Sequence, residues 1–264
     1  MSKLYAIFGD PVSHSRSPLM HNFLFKTLHV DSCYTRVHLH DGSKLRETFL
    51  KLGLSGANIT VPHKEAAFNA CDEIRGFAKS VGVVNTIINE NGRLIGYNTD
   101  ADGFMEAIKP FGEIKRVLIL GAGGTAKALA NRFIQDDSHV SVLNRGEERL
   151  SYFKELGLTC MNWDNFICDN YDLVVNTTSA GLKDDAYPAP KQITDEILSH
   201  SAYAADAVYG KLTPFLKLAK DKGIPCKDGT DMLLYQGVLA NHLFCDKKYD
   251  LKTTAGIMQK SFSL

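Results

Sequence analysis

Residues 116–126 read Arg116-Val-Leu-Ile-Leu-Gly121-Ala-Gly123-Gly-Thr-Ala126, and this stretch decides the fold of the second half of the chain. Residues 116–120 are an apolar-centred strand pattern, followed by G-x-G-x-x-A and then by Lys127, Ala128, Leu129 and Ala130, which favour helix. Gly121 permits a tight turn, Gly123 lets a pyrophosphate approach the backbone, and Ala126 allows close helix–sheet packing. The helix N-terminus then faces the anion. A lone glycine-rich motif is a weak signal, but the strand before it and the helix after it supply the context that the motif requires. The stretch predicts a dinucleotide-binding unit.

The next predicted strand, 139–143, ends at Asn144-Arg145, with Arg149 four residues on. A site for NAD usually places an acidic residue ~20 positions after the glycines, to accept from the ribose 2′-hydroxyl. A carboxylate repels a 2′-phosphate, whereas a guanidinium binds it bidentately. The pattern therefore favours NADP(H), the alternative being two solvated arginines at a helix start.

Outward from this unit, strand and helix patterns alternate almost end to end. Strands are predicted at 4–8, 33–39 and 57–61, and a hairpin at 86–88 and 93–97 around Asn91-Gly92. Further strands are predicted at 173–176 and 204–208. Helices are predicted from Ser17-Pro18, at 63–70, 100–109, 124–134, 146–156, 213–222, 231–244 and 251–262, with Ser17 as N-cap. This alternation implies an α/β fold with a parallel sheet covered on both faces. The loop 182–190 holds two prolines.

Composition sets the limits. The 264 residues correspond to roughly two domains or one large one. Lys plus Arg equals Asp plus Glu at 30 each, which argues against a protein whose main task is electrostatic binding to nucleic acid or anionic lipid. The six cysteines form no C-x-x-C pair and read as reduced thiols of a cytoplasmic protein. The N-terminus shows no signal pattern and no stretch has the length of a membrane span. His38 and His40 share a strand face, but no third ligand is in view, so no metal is expected.

Four patches in the first hundred residues are polar where a plain fold does not need them. Ser15 and Ser17 lie on a loop after the first strand. Asn58 and Thr60 share a face near a strand's end, with Lys64 four residues beyond Thr60. Asn98-Thr99-Asp100 ends a strand and opens a helix. Open α/β sheets bind ligands at the carboxyl ends of strands; Ser, Asn and Thr suit a polyhydroxylated substrate, and Lys with Asp suits proton transfer. Residue by residue the plainer roles stay open: Ser17 and Asp100 as caps, Lys64 as a surface lysine.

These motifs, taken in order, resemble the shikimate dehydrogenases over essentially the whole chain. The resemblance rests on Gly9-Asp-Pro11-x-x-His14-Ser15-Arg-Ser17-Pro18-x-x-His21-Asn22, Gly56-Ala-Asn58-Ile-Thr60-Val-Pro62-His-Lys64-Glu and Gly82-x-x-x-Asn85-Thr86. It continues through Gly96-Tyr-Asn98-Thr99-Asp100, the glycine-rich turn, Asn144-Arg145, Asn176-Thr-Thr-Ser179, Asp206-x-x-Tyr209 and Asp228-Gly229-x-Asp-Met232-x-x-x-Gln236.

The resemblance implies an N-terminal α/β substrate domain and a Rossmann-type, doubly wound parallel-sheet cofactor domain. Residues 1–99 and 231–264 are expected to form the substrate domain and 100–230 the NADP-binding domain, the last helices returning to the first. It implies an enzyme of aromatic amino acid biosynthesis that reversibly reduces 3-dehydroshikimate to shikimate with NADPH, as a monomer or homodimer. Lys64 and Asp100 are then the catalytic pair. Ser15 and Ser17 hold the substrate carboxylate; Asn58, Thr60, Asn85, Asp100 and Gln236 hold hydroxyls, with Tyr209 nearby. Gly121, Ala122, Gly123, Gly124, Thr125, Ala126, Asn144, Arg145 and Arg149 hold the cofactor, with Gly229 and Met232 near the nicotinamide.

One departure stands out: Gly146 occupies the place after Arg145 where the family often has Thr, which removes a hydroxyl donor, and Glu147 and Glu148 follow. Alternatives are a quinate/shikimate dehydrogenase with relaxed substrate or NAD use, or a catalytically silent NADP-binding sensor. Retention of both serines favours shikimate, and retention of Lys64 and Asp100 argues against a sensor.

Overall fold

The computed structural model describes residues 2–264. It divides into two compact units, one holding residues up to Gly103 together with Leu234–Leu264, the other Phe104–Leu233.

The first unit begins with β1 (Lys3–Gly9), α1 (Ser17–Thr27), β2 (Ser32–His38), α2 (Leu45–Lys51), β3 (Gly56–Ile59) and α3 (Lys64–Ala70). It continues through β4 (Glu73–Ile74), α4 (Ala78–Val81), β5 (Thr86–Glu90), β6 (Arg93–Tyr97) and the start of α5 (Asp100–Ile108). Its sheet has the order β2-β1-β3-β5-β6-β4. β1 pairs in parallel with β2 and β3, whereas β5 is antiparallel to both β3 and β6. The sheet is therefore mixed rather than wholly parallel. The cause is the hairpin at Asn91-Gly92, where both residues take positive φ (55° and 88°), as the favoured two-residue hairpin turn requires.

Alternation along β1 places its side chains on two faces. Ala6 and Phe8 join Leu45, Phe49, Ala57 and Ile87 in one core, while Tyr5 and Ile7 join Phe25, Tyr34 and Phe244 in the other.

The second unit runs through β7 (Arg116–Leu120), α6 (Gly124–Gln135), β8 (His139–Leu143), α7 (Ser151–Glu155), β9 (Thr159–Met161) and β10 (Tyr171–Asn176). Then follow α8 (Lys191–Ser199), β11 (Ser201–Asp206), α9 (Pro214–Asp221), β12 (Cys226–Lys227) and the start of α10 (Thr230–Phe244); α11 (Leu251–Lys260) closes the chain. The order β12-β11-β10-β7-β8-β9, with every pair parallel, is that of a doubly wound dinucleotide-binding sheet. Its switch point lies between β7 and β10.

Two local expectations change. The helix predicted at 146–156 forms only over Ser151–Glu155, because Leu150 N–H donates to Glu147 O and the residues after Gly146 turn first. Ser17 is not the N-cap: it lies in the first turn of α1, and its own N–H donates to Ser15 Oγ at 3.3 Å. Ser15 therefore supplies the hydroxyl acceptor that the sequence pattern places on Ser17. No helix among the described residues is long and apolar enough to cross a membrane.

Candidate active site

In the first unit the polar patches named above come together on one edge of the sheet. The carboxyl ends of β1, β3 and β6 and the amino end of the antiparallel β5 all lie there. Ser15 follows β1, Asn58 lies in β3 and Thr60 just after it, Asn85 precedes β5, and Asp100 opens α5.

The central contact joins Lys64 Nζ to Asp100 Oδ2 at 2.5 Å, with side chains only 11% and 10% exposed. Lys64 is held by its place at the start of α3, where its carbonyl accepts from Val84 N–H at 3.0 Å. Asp100 is held by its N–H, which donates to Asn98 Oδ1 at 3.1 Å. The contact sets an amine and a carboxyl side by side, mostly out of water, at the edge of the sheet that carries the other polar side chains.

A buried hydrogen-bond chain runs along the same edge. Tyr34 OH donates to Asn58 Oδ1 (2.7 Å), Asn58 Nδ2 to Thr86 Oγ1 (3.0 Å), and Thr86 Oγ1 to Asn85 Oδ1 (3.0 Å). Thr99 N–H donates to Asn85 Oδ1 and Asn85 Nδ2 to Thr99 Oγ1. Such a network, satisfied throughout, fixes its members. No motif in the sequence marks Tyr34 for this place. Burial holds its phenol well above the ordinary range, so it stays a donor. Asn22 clamps its backbone with two 2.8 Å bonds, and His21 stacks on its ring at 4.4 Å. Burial pulls the His21 imidazole down to about 3, so this stack is between neutral rings.

Ser15 and Ser17 are both buried, and Ser15 O accepts from the Arg36 guanidinium at 2.6 Å. Gln236, on α10, lies against Gly103 of α5; a Cβ on Gly103 would stand 2.6 Å from Gln236 N, so only glycine allows this approach. His63, next to Lys64 in the chain, is buried and its Nε2 lies 2.5 Å from Leu39 O.

In the second unit the glycine-rich turn stands where β7 meets β10. Gly121 has φ +102°, and a Cβ there would lie 2.8 Å from Thr178 Cγ2. A Cβ on Gly123 would meet nothing within 4 Å, so the space over the turn is open, and α6 begins directly after it with its first N–H groups aimed there. These residues fit a dinucleotide phosphate. Ala122 and Ala126 are buried, with Gly124, Thr125 and Ala126 forming the first turn of α6. Asn144 Nδ2 donates to Gly146 O at 2.8 Å and shapes the turn that carries the exposed Arg145 and Arg149. Glu147 is engaged by Asn162 Nδ2 (3.1 Å) and Lys154 Nζ (3.9 Å), which offset its charge beside the arginines.

Gly229 N–H donates to Val208 O at 2.9 Å, and a Cβ on Gly229 would stand 2.3 Å from Ala207 O. This close approach sets the half-buried Tyr209 and the buried Met232 near one strand end. That strand end is itself held by Asp206, whose two oxygens accept from Asn176 Nδ2, Val208 N–H and Thr213 Oγ1 at 2.7–3.0 Å.

Two family models match the chain: the shikimate dehydrogenase substrate binding domain over residues 7–87, and a family described as NADP oxidoreductase coenzyme F420-dependent over residues 116–178. The chain is 45% identical over 253 residues to the shikimate dehydrogenase (NADP(+)) of Helicobacter hepaticus, covering 95% of this chain and 94% of that one. Its structure is similar to shikimate dehydrogenase from Aquifex aeolicus (TM-score 0.87, 33% identity, 99% and 97% of the two chains). It is also similar to shikimate 5-dehydrogenase from Thermus thermophilus in complex with NADP(H) and shikimate (TM-score 0.82, 32% identity, 98% and 99%).

Asp206 makes its strand end sensitive to pH. Desolvation by burial pushes its carboxyl up from 3.8 to about 6, outweighing the three hydrogen bonds that favour the anion. The folded state thus keeps a proton that the unfolded chain has lost, so this group's contribution to stability falls as pH rises from about 4 through about 6. The stability of Asp206→Asn relative to the parent should rise across that window by on the order of 2–3 kcal/mol. Urea unfolding at several pH values reads this difference; a difference that does not change with pH contradicts it.

Proposed function

The chain belongs to the shikimate dehydrogenase family, and from that premise we propose how its residues carry out reversible reduction of 3-dehydroshikimate to shikimate with NADPH. The family motifs and the relatives make it an NADP-dependent oxidoreductase acting on a secondary alcohol. We assign substrate binding to the first unit, up to Gly103 with Leu234–Leu264, and NADP binding to the second, Phe104–Leu233, in place of the boundaries 99/100 and 230/231 expected from the sequence. The reading includes a cytoplasmic setting, in which thiols stay reduced.

The observation that carries the residue assignment is the Lys64–Asp100 contact at 2.5 Å. When bound, the nicotinamide supplies the hydride for reduction and accepts it in oxidation. Lys64, as the ammonium, gives its proton to the substrate oxygen as negative charge builds there; in oxidation the neutral amine takes that proton back. Asp100 orients Lys64 and accepts from a substrate hydroxyl.

Ser15 and Ser17 donate to the substrate carboxylate. Asn58, Thr60, Asn85 and Gln236 hold hydroxyls, with Asn58 and Asn85 kept in place by the network from Tyr34 to Thr99; Tyr209 adds a further substrate contact. Residues 121–126 cradle the pyrophosphate with backbone N–H groups, Gly229 and Met232 adjoin the nicotinamide, and Asn144, Arg145 and Arg149 take the adenosine 2′-phosphate. Loss of the hydroxyl at Gly146 leaves that phosphate to the guanidinium groups. The quinate, NAD-relaxed and silent-sensor readings are not favoured: both serines and the Lys–Asp pair are retained, and the relative from Helicobacter hepaticus is named for NADP(+).

Lys64→Ala should lower turnover about 10²–10⁴-fold, with a much smaller change in the Michaelis constant for shikimate. Nicotinamide absorbance under steady-state conditions reads both constants. Near-normal turnover with weakened shikimate binding would make Lys64 a ligand rather than the acid–base group.

Arg145→Ala should cost about 1.5–3 kcal/mol, the range for a hydrogen bond to a charged group, which is roughly 10–150-fold in the Michaelis constant for NADP. The constant for NAD should barely move. Equal effects on the two cofactors would remove Arg145 from the phosphate site.

A further inference from the structure

His38 and His40 stand two residues apart, and while the neighbouring Asp41 carboxylate is taken up by Ser43, the fold brings Asp10 to them. His38 Nε2 lies 2.7 Å from Asp10 Oδ1, and His40 Nδ1 lies 3.2 Å from Asp10 Oδ2. The ligand atoms of all three residues fall within 4.8 Å of one another.

The backbone holds this cluster in place. His38 ends β2 and stands in register with Gly9 of β1. Leu39 N–H donates to Gly9 O at 3.2 Å, Leu39 O lies 2.5 Å from His63 Nε2, and the Leu39 side chain is buried. With residue 39 clamped and turned inward, residues 38 and 40 project to the opposite side, where their rings lie 4.2 Å apart. Asp10 N–H donates to Val61 O at 3.1 Å, which anchors the third group to the end of β3.

Two imidazole nitrogens and one carboxylate are the donor set of a borderline divalent ion. Metal–ligand bonds of ~2.0–2.2 Å place neighbouring ligand atoms about 3–3.4 Å apart, close to the two His–Asp separations already present. The side chains of Asp10, His38 and His40 are 34%, 49% and 79% exposed, so the outward coordination positions face water. Magnesium and calcium prefer oxygen ligands throughout, which a histidine pair does not offer.

We propose that Asp10, His38 and His40 form a binding site for a divalent transition-metal ion of the zinc class, set at the β1–β2 end of the edge that carries Ser15. An ion there ties the end of β2 to the segment that leads from β1 into the serine loop.

The test uses the full-length, chelator-treated protein with Co²⁺ as the spectroscopic probe and Zn²⁺ as competitor. The expected result is saturation at one Co²⁺ per chain, with visible ligand-field bands that Zn²⁺ abolishes. His38→Ala and His40→Ala, both at exposed side chains, should each weaken binding at least as much as the loss of an outer-shell partner does, about 10–100-fold. Failure of the parent protein to saturate at one equivalent overturns the proposal. So does parent-like binding by both variants, which would place the ion on other histidines.

Discussion

Lys64 and Asp100 hold opposite charges 2.5 Å apart with about nine-tenths of each side chain out of water. Removing such ions from water costs several kcal/mol each, and their mutual attraction recovers this only when the geometry is good. A pair of this kind is weak evidence for stability and better evidence for chemistry: a fold that needed only a packed helix start would serve as well with apolar side chains. The surrounding structure is arranged to make the pair workable. The turn after β3 delivers Lys64, the end of β6 delivers Asp100, and Asn98 supplies the acceptor for the first N–H of α5.

The rest of the edge follows the same rule of full satisfaction. Asn58, Thr86, Asn85 and Thr99 are buried polar side chains, and each finds partners within the chain from Tyr34 to Thr99. A buried amide without partners costs about 1–3 kcal/mol, so the network both specifies the local fold and presents polar groups in fixed directions. In the second unit Asp206 plays a comparable part at the end of β11, but there desolvation wins over hydrogen bonding and leaves a carboxyl that holds its proton to about 6. One unit pairs its buried charge; the other neutralises it as the medium becomes acidic.

Legibility in the sequence tracked the range of the interaction. The turn at Gly121 and the hairpin at Asn91-Gly92 were readable because strand, turn and helix signals sit within a dozen residues of one another. The positions of Lys64 and Asp100 at element starts were readable as well, but their 2.5 Å contact spans 36 residues and no periodicity contains it. Tyr34 was invisible for the same reason: as a residue of a strand it looks like ordinary core, and only the fold places its hydroxyl on Asn58, 24 residues away. Asp10 reaches His38 across 28 residues. Short elements such as α2, β4 and β12 escaped because a few residues carry too little pattern. The exchange of roles between Ser15 and Ser17 escaped because both are turn residues, and only coordinates tell which hydroxyl receives which N–H.

The central claim is that Lys64 and Asp100 act as one proton-transfer unit, and a double-mutant cycle on turnover tests it most directly. Lys64→Ala, Asp100→Ala and the double variant are compared in kcat with saturating shikimate and NADP. Groups that work as a unit give grossly non-additive losses. The account predicts a double variant about as slow as the slower single variant. Losses that multiply, so that the double variant is slower by the product of the two single effects, would show that the two residues act independently and would contradict it.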